Sequence, residues 1–147
     1  NIAKAFGCKV IYYSTSGKNN NDAYERVDFD TLLKTSDIIS VHAPLTEQTK
    51  HLFTYDAFTK MKSSAYLINV GRGPIVKESD LCRALNENLI AGAGLDVLEK
   101  EPMSADNPLF SIKDSRKLLI TPHIAWATTE ARTRLMKNVY KNIAENI

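Results

Sequence analysis

Several features that would place a protein in a special class are missing from this chain of 147 residues. No apolar run approaches the roughly 20 residues that a membrane-spanning helix needs, and no segment has the pattern of a secretory signal. Lysine and arginine do not cluster, and the net charge is only +2, which argues against a nucleic-acid-binding surface. We therefore expect a globular cytoplasmic protein that binds neither membranes nor nucleic acid.

Cysteine is also scarce. The two cysteines, Cys8 and Cys82, have a spacing that fits no metal site and no redox motif. We interpret both as reduced, small apolar residues, and we predict no metal site.

The first seven residues lack an initiator methionine and are not preceded by a strand. The pattern from Asn1 to Gly7 is typical of the last turns of a helix, with Gly7 as its C-terminal cap. We expect the chain to be a fragment that was cut inside or just after a helix.

Apolar β-branched runs alternate with helical patterns along the rest of the chain. This alternation predicts an α/β fold, a doubly wound parallel sheet with helices on both faces. The predicted strands are Cys8–Tyr13, Asp37–His42, Ala65–Val70, Ile90–Val97 and Leu118–Thr121. The predicted helices are one capped by Asp28 or Asp30 that runs through Lys34, then Tyr55–Met61, Ser79–Asn86 and Thr128–Ile147. The small residues of Ile90–Val97 suggest close approach to a neighbour or a ligand.

Three side chains with useful chemistry follow predicted strands, where a parallel sheet binds its ligands. Arg72 lies between two glycines, and its guanidinium could bind a carboxylate through two hydrogen bonds. His123 could donate and recover a proton near neutral pH. Glu101, fixed by Pro102, could support a neighbouring imidazole, although Glu99 is a competing candidate. Taken alone, each is more often an ordinary surface or structural residue, but their joint occurrence at strand ends predicts a site that holds an anionic 2-oxo acid.

Other residues have less specific signals. Asp96 could accept a hydrogen bond from a nicotinamide carboxamide, cap a turn, or pair with Arg72. His42 is interpreted as a wall of an adenine-side pocket, and Thr49 could hydrogen-bond a cofactor. Trp126 could line the substrate entrance or simply pack against its neighbours.

The motifs together resemble the D-isomer-specific 2-hydroxyacid dehydrogenases. The resemblance runs from about Phe6 to the C-terminus and includes the segments Gly7–Val10, His42–Thr46 with Thr49, Leu67–Gly73, Ala91–Val97, Glu101–Pro102 and Thr121–Trp126. The last segment is similar to the glycerate dehydrogenase (hydroxypyruvate reductase) branch.

The resemblance implies hydride transfer between NAD or NADP and the C2 carbon of a small 2-oxo or 2-hydroxy acid, with hydroxypyruvate, glycerate or glyoxylate favoured. It places the catalytic set on Arg72, Glu101 and His123, with Arg72 holding the carboxylate and His123 moving the proton. It places the cofactor against Ser14, His42, Ala43, Pro44, Thr49, Val70, Gly71, Arg72, Asp96 and His123. It also implies a homodimer.

The chain departs from the family pattern in two places. The first strand of the Rossmann-like domain, its glycine-rich loop and the substrate domain are absent, so residues 1–147 correspond to a partial dinucleotide-binding domain. The missing strand is expected between Cys8–Tyr13 and Ala65–Val70, and the isolated piece is expected to be inactive. The acidic residue expected to bind the adenosine ribose is replaced by Ser14, and Lys18 follows, so NADP and NAD are both possible.

Two other functions remain open at this stage. One is a nucleotide-sensing, non-catalytic interaction protein on the same fold, such as a transcriptional corepressor, because fold does not fix function. The other is a doubly wound domain that binds a different nucleotide, which would leave the three strand-end residues unexplained.

Overall fold

A computed structural model describes residues 2–146, which form two parallel sheets. A short sheet pairs β1 (Ile11–Tyr12) with β2 (Glu25–Arg26). A larger sheet contains β3 (Ile38–Val41), β4 (Tyr66–Asn69), β5 (Gly92–Leu95) and β6 (Leu118–Ile120) in that order, with every pair parallel. The predicted α/β class with parallel strands is confirmed.

Helices connect the strands as the sequence pattern predicts. They are α1 (Ile2–Ala5), α2 (Phe29–Thr35), α3 (Tyr55–Lys60), α4 (Glu78–Asn86) and α5 (Thr129–Glu145). Of the two predicted caps for α2, Asp28 is the one used, because its carboxylate accepts a hydrogen bond from Thr31 N at 2.7 Å. The predicted ends at Asn1 and Ile147 lie outside the described residues. No helix in the described part of the chain is both long and apolar enough to span a membrane.

The observed strands are shorter than predicted, but hydrogen bonds extend the pairing beyond them. Ala91 N donates to Ala65 O, and Asp96 N donates to Asn69 O, so the main chain around β5 stays in register for one residue at each end. β2 was not predicted, because two exposed charged residues carry no strand pattern.

One face of the larger sheet forms the core. The registered row Ile39, Leu67 and Ala93 is buried there. It packs in a single cluster with apolar side chains of the helices: Leu33 of α2, Ala57 and Phe58 of α3, and Leu81, Ala84 and Leu85 of α4. These helices therefore lie on the same face of the sheet, and the carboxyl ends of the strands lie together at one edge.

The sequence pattern predicts helices on both faces, but the opposite face of the larger sheet carries none of these three helices in the described structure. Ile38, Tyr66 and Leu119 point to this side and are largely exposed. A Cβ at Gly92 would lie 3.0 Å from the Tyr66 ring, and one at Gly94 would lie 3.1 Å from Cδ1 of Ile68. The small residues of β5 thus admit the side chains of the neighbouring strand, which confirms the predicted close approach to a neighbour.

The position predicted for the missing strand is wrong. Both edges of β4 are already paired, with β3 on one side and β5 on the other. β3 is a terminal strand of the larger sheet, so a further strand at its free edge would neighbour β3 and not β4. The sequence pattern gave the order of the strands along the chain but not which strands pair.

The two sheets are linked by a row of aromatic rings. The Tyr13 and Phe29 ring centroids are 5.3 Å apart, those of Phe29 and Phe53 are 5.5 Å apart, and those of Phe53 and Phe58 are 6.4 Å apart. These rings extend the core from the larger sheet towards β1.

Both cysteines are free thiols, as predicted, but only one is part of the interior. Cys82 is buried, and burial raises the pKa of its thiol. Cys8 is exposed.

Candidate active site at the carboxyl ends of the strands

The turn after β4 presents Arg72 at the carboxyl edge of the sheet. Asn69, which is fully buried, accepts a hydrogen bond from Gly71 N at 3.1 Å and donates one to Arg72 O at 3.0 Å. The side chain of Asn69 thus fixes the backbone on both sides of the turn. The guanidinium of Arg72 is exposed and donates to Gly71 O at 2.9 Å, where an anionic ligand could take over that donor.

The glycines around Arg72 let the turn contact other backbone segments of the protein. A Cβ at Gly71 would lie 3.1 Å from Ala43 O, and one at Gly73 would lie 1.8 Å from Leu98 O. Only glycine fits at Gly73 in this backbone arrangement. The turn that carries Arg72 is therefore pressed against the loop that carries Glu101.

Glu101 and His123 form a pair. Oε2 of Glu101 lies 2.8 Å from Nδ1 of His123, and Oε1 accepts from Leu98 N at 2.9 Å. The hydrogen bond from Leu98 N lowers the pKa of Glu101, and the one from His123 lowers it further. Because the carboxylate is ionised at neutral pH, Nδ1 carries the proton that Glu101 accepts, and Nε2 is the nitrogen that can face a substrate.

Asp96 fixes the segment around His123. Its carboxylate accepts hydrogen bonds from Thr121 Oγ1 at 2.5 Å, Ile124 N at 2.9 Å and Ala125 N at 2.8 Å. Burial alone would raise the pKa of Asp96, but these three hydrogen bonds outweigh it and lower the pKa. The structure shows the turn-capping role of Asp96, and its contact with a nicotinamide carboxamide stays a prediction.

His123 has a left-handed backbone, with a φ of 55°. A non-glycine residue in this region needs support from its surroundings. Asp96 provides that support through the two backbone N–H groups that follow His123, and Nε1 of Trp126 donates to His123 O at 3.0 Å. Trp126 is half exposed beside the histidine.

The predicted cofactor residues lie along the same edge, after β3 and β4. Thr49 is buried and uses its hydroxyl inside the protein, donating to Pro44 O at 2.7 Å and accepting from Thr46 N at 2.8 Å. It thereby shapes the turn that presents Ala43 and Pro44. Nε2 of His42 lies 2.8 Å from Ser40 Oγ on the exposed side of β3, and Val70 precedes Gly71 after β4.

Ser14, which follows β1, has a buried hydroxyl with no hydrogen-bond partner in the described structure. Burying a hydroxyl without a partner is costly, so a polar ligand group at this point would be favourable. A ribose hydroxyl would supply both a donor and an acceptor. The residue predicted to contact the adenosine ribose therefore fits a bound dinucleotide, and the exposed Lys18 lies four residues further on.

Three buried polar residues of this edge were missed by sequence reasoning: Asn69, Glu78 and Asn107. Asn69 could have been found, because an asparagine inside the apolar run from Tyr66 to Val70 is unusual unless it is hydrogen-bonded. Glu78 and Asn107 look like surface residues in the sequence and give no such signal.

Comparison with known sequences identifies the family. The sequence model described as D-isomer specific 2-hydroxyacid dehydrogenase, NAD binding domain, matches residues 1–125. The chain is 44% identical over 146 residues to a putative 2-hydroxyacid dehydrogenase of Haemophilus influenzae, covering 98% of this chain and 46% of that protein. It is 46% identical over 144 residues to a glyoxylate reductase of Thermococcus litoralis, covering 96% of this chain and 42% of that protein. The chain thus spans less than half the length of these relatives.

Solved structures give the same result. A D-lactate dehydrogenase from Aquifex aeolicus, complexed with NAD and lactic acid, superposes with a TM-score of 0.86 at 30% identity, over 97% of this chain and 47% of that one. An acyclic imino acid reductase complexed with NADPH and D-Arg superposes with a TM-score of 0.81 at 37% identity, over 98% and 46%. On the sequence match and these superpositions, the chain belongs to the D-isomer-specific 2-hydroxyacid dehydrogenase family and carries its NAD-binding domain.

Proposed function

We propose that the whole protein is an NAD(P)-dependent dehydrogenase of small 2-oxo and 2-hydroxy acids, and that Arg72, Glu101 and His123 carry its chemistry. The observation that supports this most strongly is the Glu101–His123 pair, held at 2.8 Å beside the turn that presents Arg72. An acid–base group and a carboxylate-binding group thus occur at one edge of a nucleotide-binding sheet.

Each residue has a distinct part in the proposed reduction. Arg72 binds the substrate carboxylate through parallel hydrogen bonds and so orients the C2 carbonyl. A bound nicotinamide would supply the hydride to C2. His123 donates the proton on Nε2 to the carbonyl oxygen. Before the transfer, Glu101 stabilises the protonated His123 ring and fixes its orientation.

Several relatives support a preference for glyoxylate or hydroxypyruvate. The T. litoralis protein is named a glyoxylate reductase, and a relative from Blautia hydrogenotrophica, 41% identical over 148 residues, is named a hydroxypyruvate reductase. We propose these two acids as the preferred substrates, with pyruvate a poorer one.

Ser14 and Lys18 support a second, finer proposal, that NADPH is accepted. An acidic residue at Ser14 would repel a 2′-phosphate, whereas a serine leaves room for it and Lys18 adds positive charge nearby. A whole protein with a strong preference for NADH over NADPH in kcat/KM would contradict this.

The assay that tests the function uses the whole protein with glyoxylate, hydroxypyruvate and pyruvate, following oxidation of NADH and of NADPH. Replacing His123→Asn should lower kcat by about 10²- to 10⁴-fold, the usual contribution of general acid–base catalysis. Glu47→Gln, at an exposed loop position, is the control and should leave kcat unchanged. Absence of turnover with all three acids, or equal activity of His123→Asn and wild type, would contradict the proposal.

A non-catalytic, nucleotide-sensing role has no support among the described contacts or the named relatives, and the same turnover assay distinguishes it. We further propose that residues 1–147 alone neither bind dinucleotide tightly nor turn over substrate. The chain spans less than half the length of its relatives, which supports this proposal. Normal activity of the 147-residue polypeptide would contradict that.

We propose a cytoplasmic homodimer as the working form of the whole protein. The two free thiols suit a reducing compartment, and the dimer rests on the family resemblance alone. Light scattering of the purified whole protein tests the oligomeric state, and a monomeric mass would contradict it.

A further inference from the structure

Two glutamates, Glu78 and Glu99, bind each other's backbone. Oε1 of Glu99 accepts a hydrogen bond from Glu78 N at 2.7 Å, and Oε1 of Glu78 accepts one from Glu99 N at 2.7 Å. We name this reciprocal arrangement the glutamate clasp. It joins the first residue of α4 to the loop after β5, across 21 positions of sequence.

The sequence of α4 creates the need for the clasp. The residue before the helix is Lys77, which has no side-chain oxygen and makes no capping hydrogen bond. The first N–H groups of a helix have no partner within it, and the helix dipole favours a negative charge there. Glu99 supplies that carboxylate from a distant part of the chain.

The second oxygen of Glu78 extends the clasp to the far end of the same loop. Oε2 of Glu78 accepts from Nδ2 of Asn107 at 2.7 Å, and Oδ1 of Asn107 accepts from Leu109 N at 2.9 Å. Glu78 is 4% exposed and Asn107 is 6% exposed. A buried carboxylate therefore holds the loop at Glu99 and at Asn107.

Glu101 lies between these two anchors. Glu99 is only two residues before it, and Leu98, next to Glu99, donates its N–H to Oε1 of Glu101. The fixed position of Glu99 thus fixes the backbone from which the Glu101 side chain reaches His123. Glu101 is the loop glutamate whose carboxylate contacts His123. Glu99 uses Oε1 for the backbone of α4, and its Oε2 lies 3.4 Å from Nε2 of His51.

We propose that Glu78 and Glu99 are positioning residues for the reaction, acting through Glu101 on the orientation of His123. This inference rests on the proposed function. Glu78 contacts neither Glu101 nor His123 among the hydrogen bonds of the described residues. It acts by holding the backbone at both ends of the loop. Displacing an acid–base group by about 1 Å can cost up to about 10²-fold in rate, so loss of the clasp should lower kcat.

The test exploits the hydrogen-bond polarity between Glu78 and Asn107. In the whole protein, Glu78→Gln places an amide NH2 against the NH2 of Asn107 and should lower kcat by about tenfold, with a smaller change in KM. The double variant Glu78→Gln with Asn107→Asp restores a donor facing an acceptor and keeps an oxygen for Leu109 N. It should recover most of the lost kcat. Asp106→Asn, an exposed carboxylate in the same loop, is the control.

Glu99 provides an independent pair of variants. Glu99→Ala removes the acceptor for Glu78 N and should lower kcat to a similar extent, whereas Glu99→Gln keeps an oxygen at that position and should retain most of the activity. If Glu99→Ala fails to fold, the comparison of Glu78→Gln with the double variant still decides the question.

A readout independent of turnover separates this inference from the proposed function. The NMR signals of the His123 ring nitrogens report which nitrogen carries the proton and whether Nδ1 is hydrogen-bonded. In Glu78→Gln and Glu99→Ala these signals should shift towards those of Glu101→Gln, and in the double variant they should return towards wild type. If the wild type turns over none of the acids tested, the proposed function fails and the NMR comparison alone decides the inference. Folded Glu78→Gln and Glu99→Ala proteins with unchanged kcat and His123 signals would overturn it, as would a loss that the double variant does not reverse.

Discussion

Glu101 contacts His123 with one carboxylate oxygen and its own loop with the other. Oε2 lies 2.8 Å from Nδ1 of the ring, and Oε1 accepts the N–H of Leu98. The carboxylate therefore cannot rotate towards solvent without losing a backbone hydrogen bond. The same side chain sets the orientation of the histidine and provides the negative charge beside it.

Replacing Glu101→Gln removes the charge and keeps the shape. The amide oxygen can still accept the proton on Nδ1, but the NH2 then faces Leu98 N and that hydrogen bond is lost. A neutral amide also stabilises a protonated ring less than a carboxylate does. We expect kcat of the whole protein for reduction to fall by about 10- to 100-fold. Steady-state kinetics of the two proteins would measure this loss.

Asp106→Asn is the control for Glu101→Gln, because Asp106 is an exposed carboxylate of the same loop whose pKa is lowered mainly by a hydrogen bond from Ser104. A Glu101→Gln protein with wild-type kcat would contradict the role assigned to Glu101.

Replacing Arg72→Lys keeps a positive charge and removes the planar pair of donors. Lysine is a point charge, so the substrate carboxylate would be attracted but not oriented. We expect kcat/KM for the 2-oxo acid to fall by about 100-fold, because a hydrogen bond to a charged group contributes about 1.5–3 kcal/mol. Arg116→Lys, at an exposed arginine paired only locally with Asp114, should change kcat/KM little. If kcat/KM of Arg72→Lys changes as little as that of Arg116→Lys, the positive charge of Arg72 is sufficient and the paired hydrogen bonds are not needed.

Replacing Asp96→Asn tests the anchor of the His123 segment. The amide would turn an NH2 towards Ala125 N, where the carboxylate now accepts, so one buried hydrogen bond becomes a repulsion between donors. We expect the free energy of unfolding to fall by about 2 kcal/mol at neutral pH, as measured by denaturant titration of the whole protein. Glu47→Gln, at an exposed loop position, is the control.

The same variant has a predicted pH dependence. Folding lowers the pKa of Asp96 below its ordinary 3.8, so its contribution to stability is complete above that value and is lost as the pH falls through the lower, folded-state pKa. The difference in stability between wild type and Asp96→Asn should therefore be constant above about pH 5 and shrink below pH 4. A difference that grows in acid would contradict this assignment.

Replacing Gly73→Ala tests the contact between the Arg72 turn and the Glu101 loop. The new Cβ would meet the backbone oxygen of Leu98 at 1.8 Å, so one of the two loops must move. We expect the free energy of unfolding to fall by about 3 kcal/mol, the upper part of the range for overpacking. Gly94→Ala is the matched control, because its new Cβ would meet only the end of the Ile68 side chain, at 3.1 Å. Thermal unfolding that ranks the two variants equally would contradict the geometry.

The sequence predicted the α/β class and the edge of the sheet at which the candidate residues lie, but not how the strands pair. Arg72, Glu101 and His123 could be located because each follows an apolar strand, and parallel strands bring their carboxyl ends to one edge. The α/β class followed from the same alternation. The roles of these residues in a reaction stay predictions, since no measurement of activity bears on them.

The missed features depend on contacts between distant segments. Sequence periodicity cannot show that β3 pairs with β4. For that reason the missing strand was expected next to β4, where β3 lies. It also cannot show that Glu99 caps α4 from 21 residues away, because each glutamate taken alone looks like a solvated surface residue. Asp96 had three possible partners in the sequence, and only the folded loop shows which donors reach it.

The exposure of α5 affects the stability of this helix in a polypeptide limited to these 147 residues. None of the described side chains of this 17-residue helix is buried, although Leu135, Met136, Val139, Tyr140 and Ile143 are large and apolar. A helix of this length without tertiary packing is only marginally stable in water. Within a polypeptide limited to these residues, the amide hydrogens of α5 would exchange with solvent long before those of α4. A protease would have access to α5, and a cut there would leave the Glu101–His123 pair on the trimmed product.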